Sequence, residues 1–287
     1  MVEKKGKIKK LSKNNLSKKS PAIETKRKSK KTLKKLVKSK IDLSKTKPDS
    51  KKNVKKGRVS SGVHAFDEMI QGGFLQDSIN LVVGGSGSGK TIFGMEFLME
   101  GIKKGENVAY VGFEESKKTF FENMKSFGWD LEGEEKKEKF TYLEYSPEKI
   151  KLMLDEGGGM IENLIFRKEI KRIVVDSMSS FLFLFDDSSA QRQAVISFFD
   201  ILRDWNLTSI LTIQKDVSIG NIGVMSPAEL QADSLTLVYY QRIKEERKRY
   251  LEILKMRGTK HSRDIKQFEI EKGIVIKKSF GLKSLKK

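Results

Sequence analysis

Ile79-Asn80-Leu81-Val82-Val83-Gly84-Gly85-Ser86-Gly87-Ser88-Gly89-Lys90-Thr91 is an apolar, β-rich run that leads into the pattern G-x-x-x-x-G-K-[ST]. Behind it, Ile92-Phe93-Gly94-Met95-Glu96-Phe97-Leu98-Met99 is helix-forming sequence. Strand, glycine-rich loop and helix, in that order, are the setting in which this pattern binds phosphate. The glycines Gly84, Gly85, Gly87 and Gly89, with Ser86 and Ser88 among them, let backbone N–H groups turn inward. The helix N-terminus that follows favours an anion. In such a loop Lys90 reaches the β- and γ-phosphates and the Thr91 hydroxyl ligates Mg²⁺. The segment predicts a nucleoside triphosphate site.

Composition narrows the setting. The 287 residues suffice for one large domain or two small ones. No run of 18 or more apolar residues and no signal-peptide pattern is present, so a soluble, cytoplasmic protein is expected. Without cysteine there are no disulfides, thiolate metal sites or cysteine nucleophiles, and two histidines, His64 and His261, argue against a multi-histidine metal site. The formal charge of +20 is concentrated at one end. Residues 1–57 carry 22 Lys and one Arg against four acids, whereas residues 58–287 carry 35 basic and 34 acidic side chains.

Residues 1–57 lack Phe, Tyr and Trp and contain few apolar residues, which predicts a disordered lysine-rich arm. Within it, Leu33-Lys34-Lys35-Leu36-Val37-Lys38-Ser39-Lys40-Ile41 has helical spacing, compatible with a short basic amphipathic helix or with a solvated charge run. From Arg58 onward the pattern alternates between α and β. Helical stretches are expected over Val63–Ile70, after the loop to about Lys104, over Lys117–Phe127 and over Ala190–Trp205. Strands are expected up to Val83 and over Asn107–Phe113, Phe140–Tyr145, Ile170–Asp176 and Ser209–Gln214. Helical sequence after Tyr145 must be interrupted by Gly157-Gly158-Gly159. Leu235–Gln241, Tyr250–Met256 and Gln267–Ile276 then read as strands without helices between them. The expectation is an α/β fold, a mostly parallel sheet flanked by helices with an antiparallel C-terminal extension. This folded body spans 58–278, and a basic tail follows over 279–287.

Two carboxylate positions complete a triphosphate site. Asp176 ends the run Ile173-Val174-Val175 and suits the acid that holds Mg²⁺ from a neighbouring strand, the alternative being a cap for the next segment. Glu114-Glu115 follows another apolar strand, at the carboxyl end where open α/β sheets place their ligands. Glu114 there can orient and deprotonate the attacking water, with Glu115 as neighbour or substitute; acids at a helix N-terminus are the competing explanation.

Taken together, these motifs resemble a single-domain KaiC-like ATPase of the RecA superfamily, archaeal in type. The resemblance covers about residues 58–278. It rests on Gly62-Val63-His64-Ala65-Phe66-Asp67 before Gly72-Gly73, the phosphate loop, Phe113-Glu114-Glu115, Ser126-Phe127-Gly128-Trp129-Asp130, Val175-Asp176-Ser177 and Leu254-Lys255-Met256-Arg257-Gly258-Thr259-Lys260-His261. It implies a RecA-like P-loop NTPase core, ATP with Mg²⁺ as ligand, and a homo-oligomer, usually a hexameric ring with nucleotide between subunits. It also implies that Lys255 and Arg257 reach the γ-phosphate on the next subunit. Two residues apart on an expected strand, they share a face, and a trans-acting arginine of this kind is worth about 10³–10⁵ in rate. Gln214, ending its strand, resembles the RecA-type sensor position.

There are departures from the family pattern. Clock-type relatives carry two such domains and a phosphorylated Ser/Thr pair ahead of a D-[ST] step. Aligned through Asp233-Ser234, this chain has Glu229 and Leu230 there, and neither accepts phosphate, so autokinase activity is not expected. Three functions stay open: a regulatory or signalling ATPase, a RecA/RadA-like DNA-dependent ATPase, and an ATP-binding switch in a larger assembly such as the archaeal motility machinery. The DNA reading draws on the basic arm and on Lys215–Asp233 as a central loop, although that loop has one cation and no aromatic residue to stack a base. The arm suits nucleic acid, an anionic membrane surface or a protein partner.

Overall fold

The computed structural model describes residues 57–155 and 159–277. Apart from Gly57, the arm over 1–57 with its Leu33–Ile41 stretch lies outside the described residues, as do Gly157, Gly158 and the tail over 279–287. No helix among the described residues is long and apolar enough to cross a membrane.

Two short strands, β1 (Arg58–Val59) and β2 (Phe74–Leu75), pair antiparallel beside α1 (His64–Met69). A nine-stranded sheet follows. Its strands are β3 (Ile79–Gly84), β4 (Asn107–Gly112), β5 (Phe140–Glu144), β6 (Ile170–Asp176), β7 (Thr208–Gln214), β8 (Ser234–Ile243), β9 (Glu246–Met256), β10 (Lys266–Ile270) and β11 (Ile274–Ile276). Across the sheet the order is β11-β10-β9-β8-β3-β7-β6-β4-β5. All pairings from β8 to β5 are parallel, and those among β8, β9, β10 and β11 are antiparallel. The helices are α2 (Lys90–Lys103), α3 (Lys117–Lys125), α4 (Leu131–Lys136), α5 (Pro147–Asp155), α6 (Gly159–Arg167), α7 (Met178–Leu182), α8 (Ser188–Asp204) and α9 (Pro227–Gln231).

Alternation along the strands buries both faces of the sheet. Val82, Val108, Tyr110, Val174 and Ile210 meet Phe66 of α1, Phe93 and Phe97 of α2 and Phe120 of α3. Leu81, Val83, Val111, Val175 and Leu211 meet Ile165 of α6, Phe181 of α7 and Phe198 of α8. This is the expected mostly parallel sheet flanked by helices, with the antiparallel strands at its C-terminal end.

Two expectations need correction. Gln267–Ile276 is a hairpin, not one strand: β10 and β11 pair through Phe268↔Ile276 and Ile270↔Ile274. The reversal is anchored on α2, where Glu96 Oε1 accepts the Ile274 N–H at 2.9 Å; a Cβ on Gly273 would lie 2.0 Å from that oxygen. The second correction concerns Asp176. Its strand, β6, does not neighbour the loop strand β3, because β7 runs between them. The short helices α4, α7 and α9 were not expected from periodicity, since five or six residues are too few to establish it. Local caps define two of them: Asp130 accepts the Gly133 N–H, and Ser226 and Glu229 form a capping box.

Arg172, 1 % exposed, holds the α2 side of the sheet to the amino-terminal segment. Its guanidinium pairs with Glu106, donates to Ser60 O at 2.7 Å and Phe97 O at 3.0 Å, and lies 4.8 Å from the centre of the Phe97 ring. Arg172→Met leaves those acceptors unpaired and is expected to cost about 3 kcal/mol. The measurement is urea unfolding, read as a lower midpoint at unchanged slope.

Candidate functional site

Parallel strands that start in register also end together, and here β3, β4, β6 and β7 deliver their carboxyl ends to one edge. Gly84 pairs with Gln214, and Gly112 with Asp176. The edge opens into a cleft of about 720 Å³, its mouth included, lined by Ser86, Lys90, Thr91, Glu114, Glu115 and Asp176 among others. Gln214 also lines it.

The glycine-rich loop joins β3 to α2 under tight constraint. Gly87 and Gly89 have φ of 72° and 104°, which favours glycine, and a Cβ on Gly84 would lie 2.2 Å from Val238 O. Ser88 Oγ donates to Gly85 O at 2.9 Å, and Lys90 Nζ donates to the same oxygen at 2.8 Å. Lys90 is only 8 % exposed. Burial holds its pKa below the ordinary lysine value, against the opposing influence of Asp176 and then Glu114. From outside, Arg249 Nε donates to Gly87 O at 3.0 Å while its guanidinium lies 4.4 Å from the centre of the Tyr240 ring.

Asp176 follows Arg172 and Val174 on the face that α2 covers, and three hydroxyls meet its carboxylate there. Thr91 Oγ1 donates to Oδ2 at 2.6 Å, Tyr110 Oη donates to Oδ2 at 2.9 Å, and Thr212 Oγ1 donates to Oδ1. Thr212 stands on the intervening strand, β7. Asp176 therefore does not cap the following segment: α7 has Ser177 at its N-cap position and no side-chain cap. Ser177 Oγ, also at the cleft, is buried without a hydrogen-bond partner.

Glu114 and Glu115 are exposed in the turn between β4 and α3. The cap of α3 is Ser116, which accepts the Thr119 N–H, so neither glutamate is needed as its cap. Glu115 Oε2 accepts from Asn123 Nδ2 at 3.2 Å, and its backbone oxygen accepts from Tyr142 Oη at 2.7 Å. The Gln214 N–H donates to Ser179 Oγ at 2.8 Å.

Lys255 and Arg257 are not among the cleft residues. Both meet the carboxyl end of α9: Lys255 Nζ donates to Glu229 O at 2.9 Å and Leu230 O at 3.1 Å, and Arg257 pairs with Asp233 at 3.5 Å. Burial, followed by the nearby Arg257 charge, lowers the Lys255 pKa. Glu229 is buried and pairs with Lys215 at 2.9 Å. The one cation of the Lys215–Asp233 segment is thus engaged within its own loop.

The donor set fits a magnesium ion. The cleft-lining residues supply three carboxylates and one cation, so a polyphosphate entering it needs additional positive charge. The Thr91 hydroxyl and Asp176 carboxylate are hard oxygen donors of the kind Mg²⁺ takes.

The family model described as "ATPase: KaiC" matches residues 59–280. The chain belongs to the KaiC-type ATPase family. Over 228 residues it is 33% identical to the circadian clock protein KaiC3 of Synechocystis, covering 76% of this chain and 45% of that protein. The chain thus spans under half the length of that clock relative. By contrast, a UPF0273 protein of Thermotoga maritima is 33% identical over 239 residues, covering 78% of this chain and 97% of the relative. The crystal structure of a KaiC-like protein from Pyrococcus horikoshii superposes with a TM-score of 0.69 at 32% identity, covering 78% of this chain and 100% of the other.

Within this KaiC-type fold, sequence reading missed Tyr110, Thr212, Tyr142, Tyr240 and Arg249 around the cleft. A hydroxyl inside an apolar strand was the available signal for Tyr110 and Thr212. Arg249 carried no local signal, because its partner Gly87 is 162 residues away.

Proposed function

We propose that the chain binds ATP with Mg²⁺ and hydrolyses it, with active sites completed between copies in a ring, hexameric in size, and a regulatory or signalling role. The observation that carries this reading is the meeting of Lys90, Thr91, Asp176, Glu114 and Glu115 in one cleft. The free N–H groups of the first turn of α2 take phosphate oxygens. Lys90 leaves Gly85 O for the β- and γ-phosphates. Thr91 and Asp176 would hold the magnesium ion, which when bound neutralises phosphate charge. Glu114 orients a water and takes its proton as the water oxygen bonds to the γ-phosphorus and the bond to the β–γ bridging oxygen breaks. Glu115 supports or replaces Glu114, and Gln214, which lines the same cleft, acts as the γ-phosphate sensor. Lys255 and Arg257, absent from the lining of their own cleft, act on the neighbour's γ-phosphate.

Turnover per subunit in Mg²⁺ and ATP, measured against protein concentration at fixed salt, tests this assembly. The expected rate climbs from near zero to a plateau, and Arg257→Ala lowers the plateau about 10³-fold or more. An unchanged plateau in Arg257→Ala refutes the trans role.

Engagement of Lys215 by Glu229 weighs against the Lys215–Asp233 segment as a DNA-binding loop. The arm over 1–57, with 23 basic side chains, supports an anionic partner, either nucleic acid or a membrane surface.

A further inference from the structure

We infer that Tyr110 and Tyr142 are a positioning pair that sets the Asp176 carboxylate and the Glu114–Glu115 turn relative to one another. This inference rests on the reading of the cleft as a Mg²⁺-ATP site. The two residues are register partners on β4 and β5. Their rings stack at 5.6 Å between centroids and 16° between planes, and Phe120 of α3 closes against both at 4.3 and 5.2 Å. Each hydroxyl leaves this aromatic cluster toward the cleft. Tyr110 Oη donates to Asp176 Oδ2 at 2.9 Å, and Tyr142 Oη donates to Glu115 O at 2.7 Å.

Packing alone does not account for the hydroxyls. Phenylalanine at both positions would fill the same ring volume without the cost of desolvating a polar group. The neighbouring strand position is also adapted: a Cβ on Gly112 would lie 2.4 Å from Tyr142 Oη, so the register partner of Asp176 carries no side chain and leaves room for the phenol.

The geometry divides the labour. Tyr110 fixes the plane of the carboxylate whose Oδ2 also receives Thr91, and Tyr142 fixes the backbone from which the glutamates project. Because the rings stack, the two settings are made against each other. Groups that orient a metal-binding carboxylate typically contribute 10–100-fold in metal affinity.

The test uses the full chain with a non-hydrolysable ATP analogue and Mn²⁺ as the probe, bound Mn²⁺ being read by electron paramagnetic resonance. Tyr110→Phe is expected to weaken Mn²⁺ binding about 10–100-fold while metal-free analogue affinity and the urea midpoint stay near wild type. Tyr142→Phe is expected to keep Mn²⁺ affinity and KM for ATP but lower kcat, the signature of an interaction made in the transition state. Wild-type Mn²⁺ affinity in a folded Tyr110→Phe overturns the Tyr110 assignment, and an unchanged kcat in Tyr142→Phe overturns that of Tyr142. If the wild-type chain itself binds no Mn²⁺ with the analogue, the ATP-site reading falls, and the inference with it.

Discussion

Lys90→Ala is expected to lower ATP turnover about 10²–10³-fold and to weaken ATP binding, with the fold intact. Among the described residues lining the cleft, Lys90 is the one cation against Glu114, Glu115 and Asp176. Removing it leaves a site whose side chains repel a polyphosphate, and the γ-phosphate loses its charged partner in the transition state. Burial already disfavours the Lys90 ammonium, so alanine should hold or raise thermal stability while activity falls. Calorimetric ATP titration alongside a thermal melt separates the two effects. Wild-type turnover in the variant would exclude the loop as the phosphate site.

The double substitution Glu114→Gln with Glu115→Gln should give the opposite separation: ATP bound at least as tightly, but hydrolysis slowed about 10²–10⁴-fold. The amide keeps the size of each side chain and removes its basicity. It also removes two negative charges from the cleft, which favours the anionic nucleotide. Both residues must change because they adjoin in one exposed turn, where either can approach the water. Equilibrium binding combined with single-turnover hydrolysis reads the two quantities apart. Hydrolysis at the wild-type rate would eliminate both glutamates as the base.

Features written in contiguous residues were the most legible. The strand–loop–helix from Ile79 onward is visible because backbone N–H groups and one helix end form the candidate phosphate cradle. Asp176 and Glu114-Glu115 stand out where apolar runs end. Their placement at one edge follows from parallel strands in register. What the sequence hid are pairings made by topology. Strand order, with β7 between β3 and β6, cannot be read from the alternation of elements, and it is this order that brings Thr212 to Asp176. Arg172 looks like one of two cations in Ile170-Lys171-Arg172-Ile173, yet alternation buries it and exposes Lys171. The Gln267–Ile276 hairpin was concealed because Glu96, whose carboxylate anchors its reversal, lies 178 residues away.

Strand β9 has a mechanical consequence. Arg249, near one end, grips the phosphate loop through Gly87 O; Lys255, six residues on, grips the carboxyl end of α9. The interval is roughly 20 Å of extended chain. Strand β8 pairs along the whole interval and β10 along Arg249–Leu251, and the register with β8 shifts beside Leu235, near the Lys255 end. One strand thus ties the glycine-rich loop at Gly87 to the carboxyl end of α9. If the loop holds phosphate and Lys255 acts on a neighbour, as proposed, the two tasks share a single strand.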